Sequence, residues 1–583
     1  MNKTTALIVR CGTEPWRAMA ETSRQTLAPG EPFAVELASG GHWFGHGFNH
    51  VQPWPLESGS LVNPTFAVNN IQSPIWLCSN GYAILADTTE LLDVRVNENG
   101  DGLLRILCPS APITVRLFRG ETLPEARAAL MSRLGWPAPP PAAHMLGDSL
   151  FCSWTQYPRA VTQDRIIGMA RSIRHYEYPC STLILDDRWE SCFGELRFSR
   201  DFPAPKAMVE TLHELGFRVW LWVTPFVNRE ASSFGDLAAR RLLVPDRQGR
   251  GAALMRWWGG TAGLVDVTNP DGREWYASKL RALKNDLGVD GFKIDGGDFK
   301  YQPNPAESAW HDFQGPSGYM DRLLAVFEEL APNQCETRTA WLSQRRGILW
   351  REGGKDTHWG LDNGLQALVT LALHLGLMGY DLLIPDMVPG RMQTLQSDHP
   401  MPTDELMVRW TEASAFMPML QFSYFPWNFA PETQAVVRSY AWAHKALEPY
   451  LAEQARDRRA PLLRPIWYDS PLESSLYAVA DEFMLGSDLL AAPVLTEGRV
   501  VRDIALPPGD WIDAWNGTAH GAGRLADYPA PCPGMPLFVR SGRSDLLRAL
   551  SPGLKSIERG GIKSGRVSAT YRAGLDRDLN VSG

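Results

Sequence analysis

An apolar run from Val289 to Ile294 stops at a carboxylate, Asp295, which is followed by two glycines and a second carboxylate, Asp298. Glycine lets the chain turn sharply with no Cβ in the way, so a carboxylate at this place can stand clear of its strand. Similar endings recur. Asp186-Asp187-Arg188-Trp189 closes a second apolar run, a third carries Arg338, residues 351–364 read R-E-G-G-K-D-T-H-W-G-L-D-N-G, and Pro385-Asp386 closes another. Each ending alone is compatible with turn or cap chemistry, and Asp362 has the look of an N-cap for a helix starting at Leu365. Carboxylates after four separate strands, with arginine and tryptophan among them, point instead to one acidic mouth suited to a sugar. Two carboxylates would do the bond-breaking, others would hold hydroxyls, and aromatic faces would stack on the ring.

The elements that must position these residues follow from periodicity. Apolar runs at Met145–Trp154, Ser181–Asp187, Arg218–Phe226, Val289–Asp295, Cys335–Trp341, Ile348–Arg351, Asp381–Pro385 and Met417–Phe422 read as strands. Helical patterns lie between most of them, at Gln163–Arg174, Lys206–Leu215, Gly272–Leu287, Gly318–Leu330, Leu365–Leu377 and Thr403–Ala415, with a last one at Thr433–Leu451. Eight strands alternating with helices predict an α/β fold, a (β/α)8 TIM barrel over residues 141–451 with an insertion around 228–270. Residues 1–140 show short alternating runs split by Gly, Pro and Asn, which predicts an N-terminal β-sandwich ending at the proline run Pro137–Pro141. Residues 452–542 read as a C-terminal β-domain, and 543–583, rich in Gly, Ser and Arg, as a weakly structured tail.

Composition narrows the chemistry. The 583 residues carry a net charge of −8 with no block of like charge, which argues against a nucleic-acid surface. There are 22 tryptophans, consistent with carbohydrate stacking, although tryptophan also fills ordinary cores. The 8 cysteines have neither C-x-x-C nor metal spacing and read as reduced, buried thiols. His42, His46 and His50 stand four apart in a glycine-rich stretch that reads as a loop, and no carboxylate or cysteine accompanies them, so no metal is expected there. The apolar run Ala6–Val9 is too short for a secretory signal and Leu365–Ile384 is broken by His374 and Asp381. The expectation is a cytoplasmic protein without membrane or nucleic-acid partners, with homo-oligomerisation left open.

The resemblance then becomes specific. G-F-K-I-D-G-G-D, L-D-D-R-W, L-V-D-V-T-N-P-D (264–271), W-G-L-D-N-G-L (359–365), Y-D-L-L-I-P-D-M (380–387) and L-L-A-A-P-V-L followed by L-P-P-G-D-W occur in order. Over residues 30 to 542 this resembles glycoside hydrolase family 31, the retaining α-glycosidases, nearest the branch of the myogenesis-regulating glycosidase and its bacterial relatives. The resemblance implies Asp295 as nucleophile, Asp186 and Asp386 as holders of sugar hydroxyls, and Arg338 as the arginine ending the fifth strand. It also implies an acid/base Asp five residues before the Trp of W-x-x-D-x-G-L, but Gly354 stands there. Asp356 is the nearest carboxylate and the candidate acid/base, with Asp362 and Glu352 as alternatives. Asp187, Trp189, Trp222, Arg256, Trp257, Lys293, Asp298 and Trp359 complete the candidate substrate-binding set.

Gln421 and Ser423 occupy the region where the family carries His and Arg, which favours a hydroxyl pattern other than glucose, such as galactose. The implied function is exo-hydrolysis of a terminal α-linked sugar, of α-galactosidase or α-glucosidase type, from a small glycoside or oligosaccharide and without cofactor. A retaining reaction places its two carboxyls about 5–5.5 Å apart. Gly354 keeps a non-catalytic glycan-binding protein on the same fold in view, and a transglycosidase, in which a sugar rather than water takes the glycosyl group, is a third reading.

Overall fold

The computed structural model describes residues 7–10, 20–37, 41–48, 51–158, 160–390 and 402–559. Its centre is a parallel barrel built from eight strands: Ser149–Cys152, Cys180–Leu185, Arg218–Val223, Gly291–Ile294, Cys335–Thr337, Leu349–Arg351, Leu383–Ile384 and Gln421–Phe422. They are numbered one to eight below. Each pairs in parallel with its neighbour from the seventh strand back to the first, and the first pairs with the eighth. The seventh and eighth meet just past the end of the seventh, where Val388 bridges Phe422 of the eighth and its N–H donates to Gln421 O at 2.8 Å. The expected (β/α)8 barrel is the observed one.

The helices around the barrel start and stop where local chemistry requires. Thr162 accepts from Arg165 N to cap Gln163–His175, and Asn269 accepts from Asp271 N to cap Pro270–Leu287. The latter ends at Gly288, whose φ of 83° continues the chain in the left-handed turn typical of a glycine cap. After strand three, the strands Phe226–Asn228, Leu254–Trp257 and Gly260–Leu264 form a small antiparallel sheet over the mouth. The long helix read over 433–451 is two, Pro431–Ala446 and Glu448–Gln454.

Two five-stranded sheets form the N-terminal domain, with the helix Leu123–Leu134 beside them, a helix that the all-β reading did not anticipate. Its buried face (Leu123, Ala126, Leu130, Met131) has the 3.6-residue period, hidden in the sequence by interleaved Ala and Arg. The glycine-rich stretch around His42–His46 is not a loop: Trp43–Gly47 is a fully buried strand, bulged between Gly45 and Gly47. Those glycines carry positive φ and press on the backbone carbonyls of Ile75 and Ile71, which only a missing Cβ allows. His42 pairs with Glu57, His46 is buried against Phe66, and His50 lies outside the described residues. Among the described residues no group of His, Cys, Asp and Glu could hold a metal ion.

In the C-terminal part a six-stranded antiparallel sheet is accompanied by a two-stranded ribbon, Val501–Leu506 with Gly523–Pro529. The reading of 543–583 as weakly structured is corrected at its start. Ser544–Arg559 is a helix that packs on Pro431–Ala446 and buries Leu546, Leu550, Leu554 and Ile557. Their spacing is one helical face, masked in the sequence by Pro552-Gly553; residues 560–583 lie outside the described part.

Candidate active site

Strand geometry decides which side chains enter the barrel. Side chains two apart share a face, so Lys293 and Asp295 of strand four point the same way, as do Glu336 and Arg338 of strand five. The upper interior is therefore ionic. Lys293 Nζ lies 2.7 Å from Asp186 Oδ2 and 3.9 Å from Glu336 Oε1. Glu336 Oε1 accepts from Arg351 Nε at 3.0 Å, and Arg351 Nη1 donates to Asp386 Oδ1 at 3.1 Å. Asp186, Lys293, Glu336, Arg351 and Asp386 thus form a buried chain of alternating charge across strands two, four, five, six and seven. Gln421 of strand eight donates to Glu336 Oε2 at 2.7 Å. The Cys152 thiol, kept protonated by burial and then by Asp186, donates to Asp186 Oδ2 at 3.1 Å.

Asp295 stands at the top of this chain, half-buried. Its N–H still pairs with Val223 O of strand three, and then Gly296 and Gly297 turn away with φ of 76° and 79°. A Cβ at Gly296 would meet Phe226 Cε2 at 2.5 Å, so the two glycines are required for the turn itself. Asp295 Oδ1 accepts from Arg338 Nε and from Gly296 N at 3.1 Å, while Oδ2 accepts from Trp222 Nε1 at 3.0 Å. Burial works against its charge, but Arg338 first, then Arg351, the Trp222 hydrogen bond and Lys293, hold Asp295 below the usual carboxylate range. Lys293 likewise stays charged: burial opposes it, and Asp186 and the neighbouring thiol and carboxylate outweigh burial.

Two further carboxyls at the mouth behave oppositely. Asp187 is buried with its Oδ1 lacking a hydrogen bond, and burial, then Asp186, push it up to about 7. Asp298 is fully buried, 3.4 Å from Arg338 Nη1, and burial, partly offset by Arg338, pushes it up to about 6.

The loop after strand six carries the acid/base candidates. Asp356 is half-buried and its Oδ2 accepts from Asn363 Nδ2 at 3.0 Å; the same amide nitrogen donates to Gly354 O at 3.0 Å. Glu352 is fully buried, 2.9 Å from Lys355 Nζ, and burial lifts it to about 7. Asp362 does not cap the following helix, whose N-cap is Gly364; its side chain is 79% exposed and faces solvent beside His358.

The remaining candidates divide. Trp222 reaches Asp295, but Trp189 is fully buried and spends its Nε1 on Trp222 O, so it supports the wall rather than offering a face to a sugar. On the strand Leu254–Trp257, Arg256 points outward and is exposed, whereas Trp257 is buried and donates to Asn228 Oδ1 at 2.8 Å. The aromatic that approaches the charged centre is their neighbour Trp258, half-buried, with Arg338 Cζ 5.8 Å from its ring centroid. Trp359 is half-buried on the strand-six loop, where its carbonyl accepts from Gln366 N. Asp386 is buried with both oxygens occupied, by Arg351 and by Lys355 N at 2.7 Å. Glu336, Arg351 and Asn70 were not among the sequence candidates; strand alternation signalled the first two.

Known proteins match this architecture. Residues 138–454 match the Glycosyl hydrolases family 31 TIM-barrel domain, 459–543 the family 31 C-terminal domain, and 17–131 the myogenesis-regulating glycosidase N-terminal domain. The chain belongs to glycoside hydrolase family 31. It is 31% identical over 505 residues to the myogenesis-regulating glycosidase of Mus musculus, a match covering 81% of this chain and 70% of that protein. It is 26% identical over 379 residues to the sulfoquinovosidase of Escherichia coli, covering 62% and 54%. Among solved structures, the fold is shared with a Flavobacterium johnsoniae family 31 dextranase complexed with glucose (TM-score 0.76, 22% identity, 88% of this chain and 66% of that one). It is shared too with an α-xylosidase from a soil metagenome complexed with xylose (TM-score 0.77, 22% identity, 90% and 82%).

Proposed function

We propose that the chain is a retaining α-glycosidase that removes a terminal α-linked sugar by double displacement. The observation that carries the reading is the setting of Asp295: paired with Arg338 and hydrogen-bonded at both oxygens, with its side chain still 15% exposed at the barrel mouth. Oδ1 takes two hydrogen bonds and Oδ2 one, which leaves Oδ2 the better placed lone pair for attack. Its bond to the anomeric carbon forms as the glycosidic C–O bond breaks, and Asp356 passes its proton to the leaving oxygen. Water then attacks the anomeric carbon of the glycosyl-aspartate, gives its proton to Asp356 and releases Asp295. The relatives include glycosidases named for different sugars, and Gln421 and Ser423 support an α-galactoside ahead of an α-glucoside. A panel of aryl α-glycosides (galactose, glucose, xylose, sulfoquinovose, N-acetylgalactosamine) tests the reading. Turnover of one of them should disappear in Asp295→Asn; full activity in that variant would overturn it.

Gly354 favours one other reading, a glycan-binding protein that has lost its acid/base. Calorimetric binding of an oligosaccharide that is recovered intact, with no turnover of any aryl glycoside, would support that reading instead.

A further inference from the structure

The N-terminal sandwich touches the arginine beside the candidate nucleophile through Asn70. Asn70 lies between the strands Leu61–Phe66 and Gln72–Cys78, 268 positions from Arg338, and its Oδ1 accepts from Arg338 Nη1 at 2.6 Å. The same guanidinium donates through Nε to Asp295. The segment carrying Asn70 is pinned to the barrel on both sides. Val68 N donates to Ser317 Oγ at 3.3 Å, Phe299 N donates to Val68 O at 2.6 Å, and Ile71 bridges Ala340, two residues past Arg338. A Cβ at Gly353, on the strand-six loop, would come within 2.8 Å of Asn70 Oδ1. Asn70 has φ of 65°, a left-handed conformation that Asn and Gly accept and most residues do not.

A competitor for Arg338 stands beside it. Asp298 Oδ2 lies 3.4 Å from Nη1, and both Asp298 oxygens lack a hydrogen bond. A guanidinium not held at Nη1 by Asn70 is free to turn toward Asp298 and leave Asp295.

We propose that Asn70 is a positioning residue that holds the Arg338 guanidinium in the orientation that charges Asp295, so that the ionisation of the nucleophile depends on the docked N-terminal domain. Its catalytic consequence rests on the glycosidase reading; its electrostatic consequence rests on the geometry alone. The groups facing Asp295 are the cations Arg338, Arg351 and Lys293, the carboxyls Asp187 and Asp298, and the Trp222 indole. Removing the Asn70 hold weakens the leading favourable contribution among them.

Asn70→Gly keeps the left-handed backbone and removes the side chain that carries the acceptor. The Trp222 Nε1–H resonance, identified in a 15N-tryptophan spectrum by its loss in Trp222→Phe, reports Asp295 protonation whether or not the protein turns over a substrate. Its acid midpoint should rise by about one pH unit in Asn70→Gly. On a glycoside that the wild type cleaves, the acidic limb of kcat/KM should move to higher pH by the same shift as that midpoint, with kcat/KM at pH 7 little changed. Gly353→Ala, which drives a methyl group against Asn70 Oδ1, should move the midpoint the same way and serves as the second variant if Asn70→Gly does not fold. An unchanged Trp222 midpoint in a folded variant overturns the proposal. Lack of turnover by the wild type would instead count against the glycosidase reading and leave the resonance to decide the role of Asn70.

Discussion

Lys293 sits two residues before Asp295 on the same barrel strand, and its ammonium meets the Asp186 carboxylate at 2.7 Å with both side chains buried. It is the only cation among the described residues that touches Asp186, and with Arg351 it neutralises Glu336 as well. Lys293→Met leaves Asp186 buried without a counter-charge. Truncating one member of a buried pair costs about 3–5 kcal/mol, so the variant should unfold at distinctly lower denaturant than the wild type. An unchanged denaturation midpoint would show that the charge chain does not hold this part of the barrel.

Asp356 is expected to matter in proportion to the leaving group. In Asp356→Ala, cleavage of an alkyl or sugar glycoside should fall ~10²–10⁴-fold, the range for a lost general acid. Release of an acidic phenol such as dinitrophenol needs little protonation and should suffer far less, and added azide should speed turnover of the glycosyl-enzyme. Equal losses for both leaving groups would assign the proton to another carboxyl, with buried Glu352 next in line.

A pH dependence of stability is built into the contact between the N-terminal domain and the helix Leu365–Leu377. His374 Nδ1 accepts from Gly45 N at 3.0 Å and its Nε2 faces Pro53 O at 2.9 Å, an arrangement that fits only the neutral ring. Burial lowers His374 to about 3, and burial with His374 beside it lowers His46 to about 3. The folded pKa lies below the unfolded value near 6.5, so the unfolded chain binds the extra proton. The stability is complete above about pH 6.5 and declines as pH falls from there toward 3, by up to ~1.4 kcal/mol per pH unit for each histidine. Urea titrations at pH 7 and pH 5 should show a smaller loss in His374→Gln than in the wild type. Equal losses would mean that His374 is not held neutral.

The terminal helix Ser544–Arg559 offers a test of its own. Leu550 is fully buried against the helix Pro431–Ala446, and Leu550→Ala should cost about 2–5 kcal/mol. An effect below about 0.5 kcal/mol, as expected of a surface site, would return this segment to the loosely ordered tail that its composition suggests.

What could be read in advance follows from the range of the interactions. The barrel strands were legible because each is a short apolar run ending in a turn, and Asp295 because two glycines follow it directly. Asn70 and Arg338 are 268 residues apart, and no local pattern links a sandwich turn to a barrel strand. The tryptophans show the same limit. Trp257 and Trp258 are adjacent in R-W-W-G-G, yet tertiary packing buries the first and leaves the second half-buried beside Arg338. Ser544–Arg559 was missed for a local reason, since Pro552-Gly553 reads as a helix break although the buried leucines on either side keep helical register.

The role of Asp295 can be tested most directly by trapping. The protein is incubated with a fluorinated α-glycosyl fluoride of the sugar it prefers, digested, and its peptides are weighed. The peptide containing Asp295 should be heavier by one fluoroglycosyl group, and Asp295→Asn should acquire none. Turnover without an adduct on Asp295, or an adduct on any other carboxylate, would contradict the double displacement.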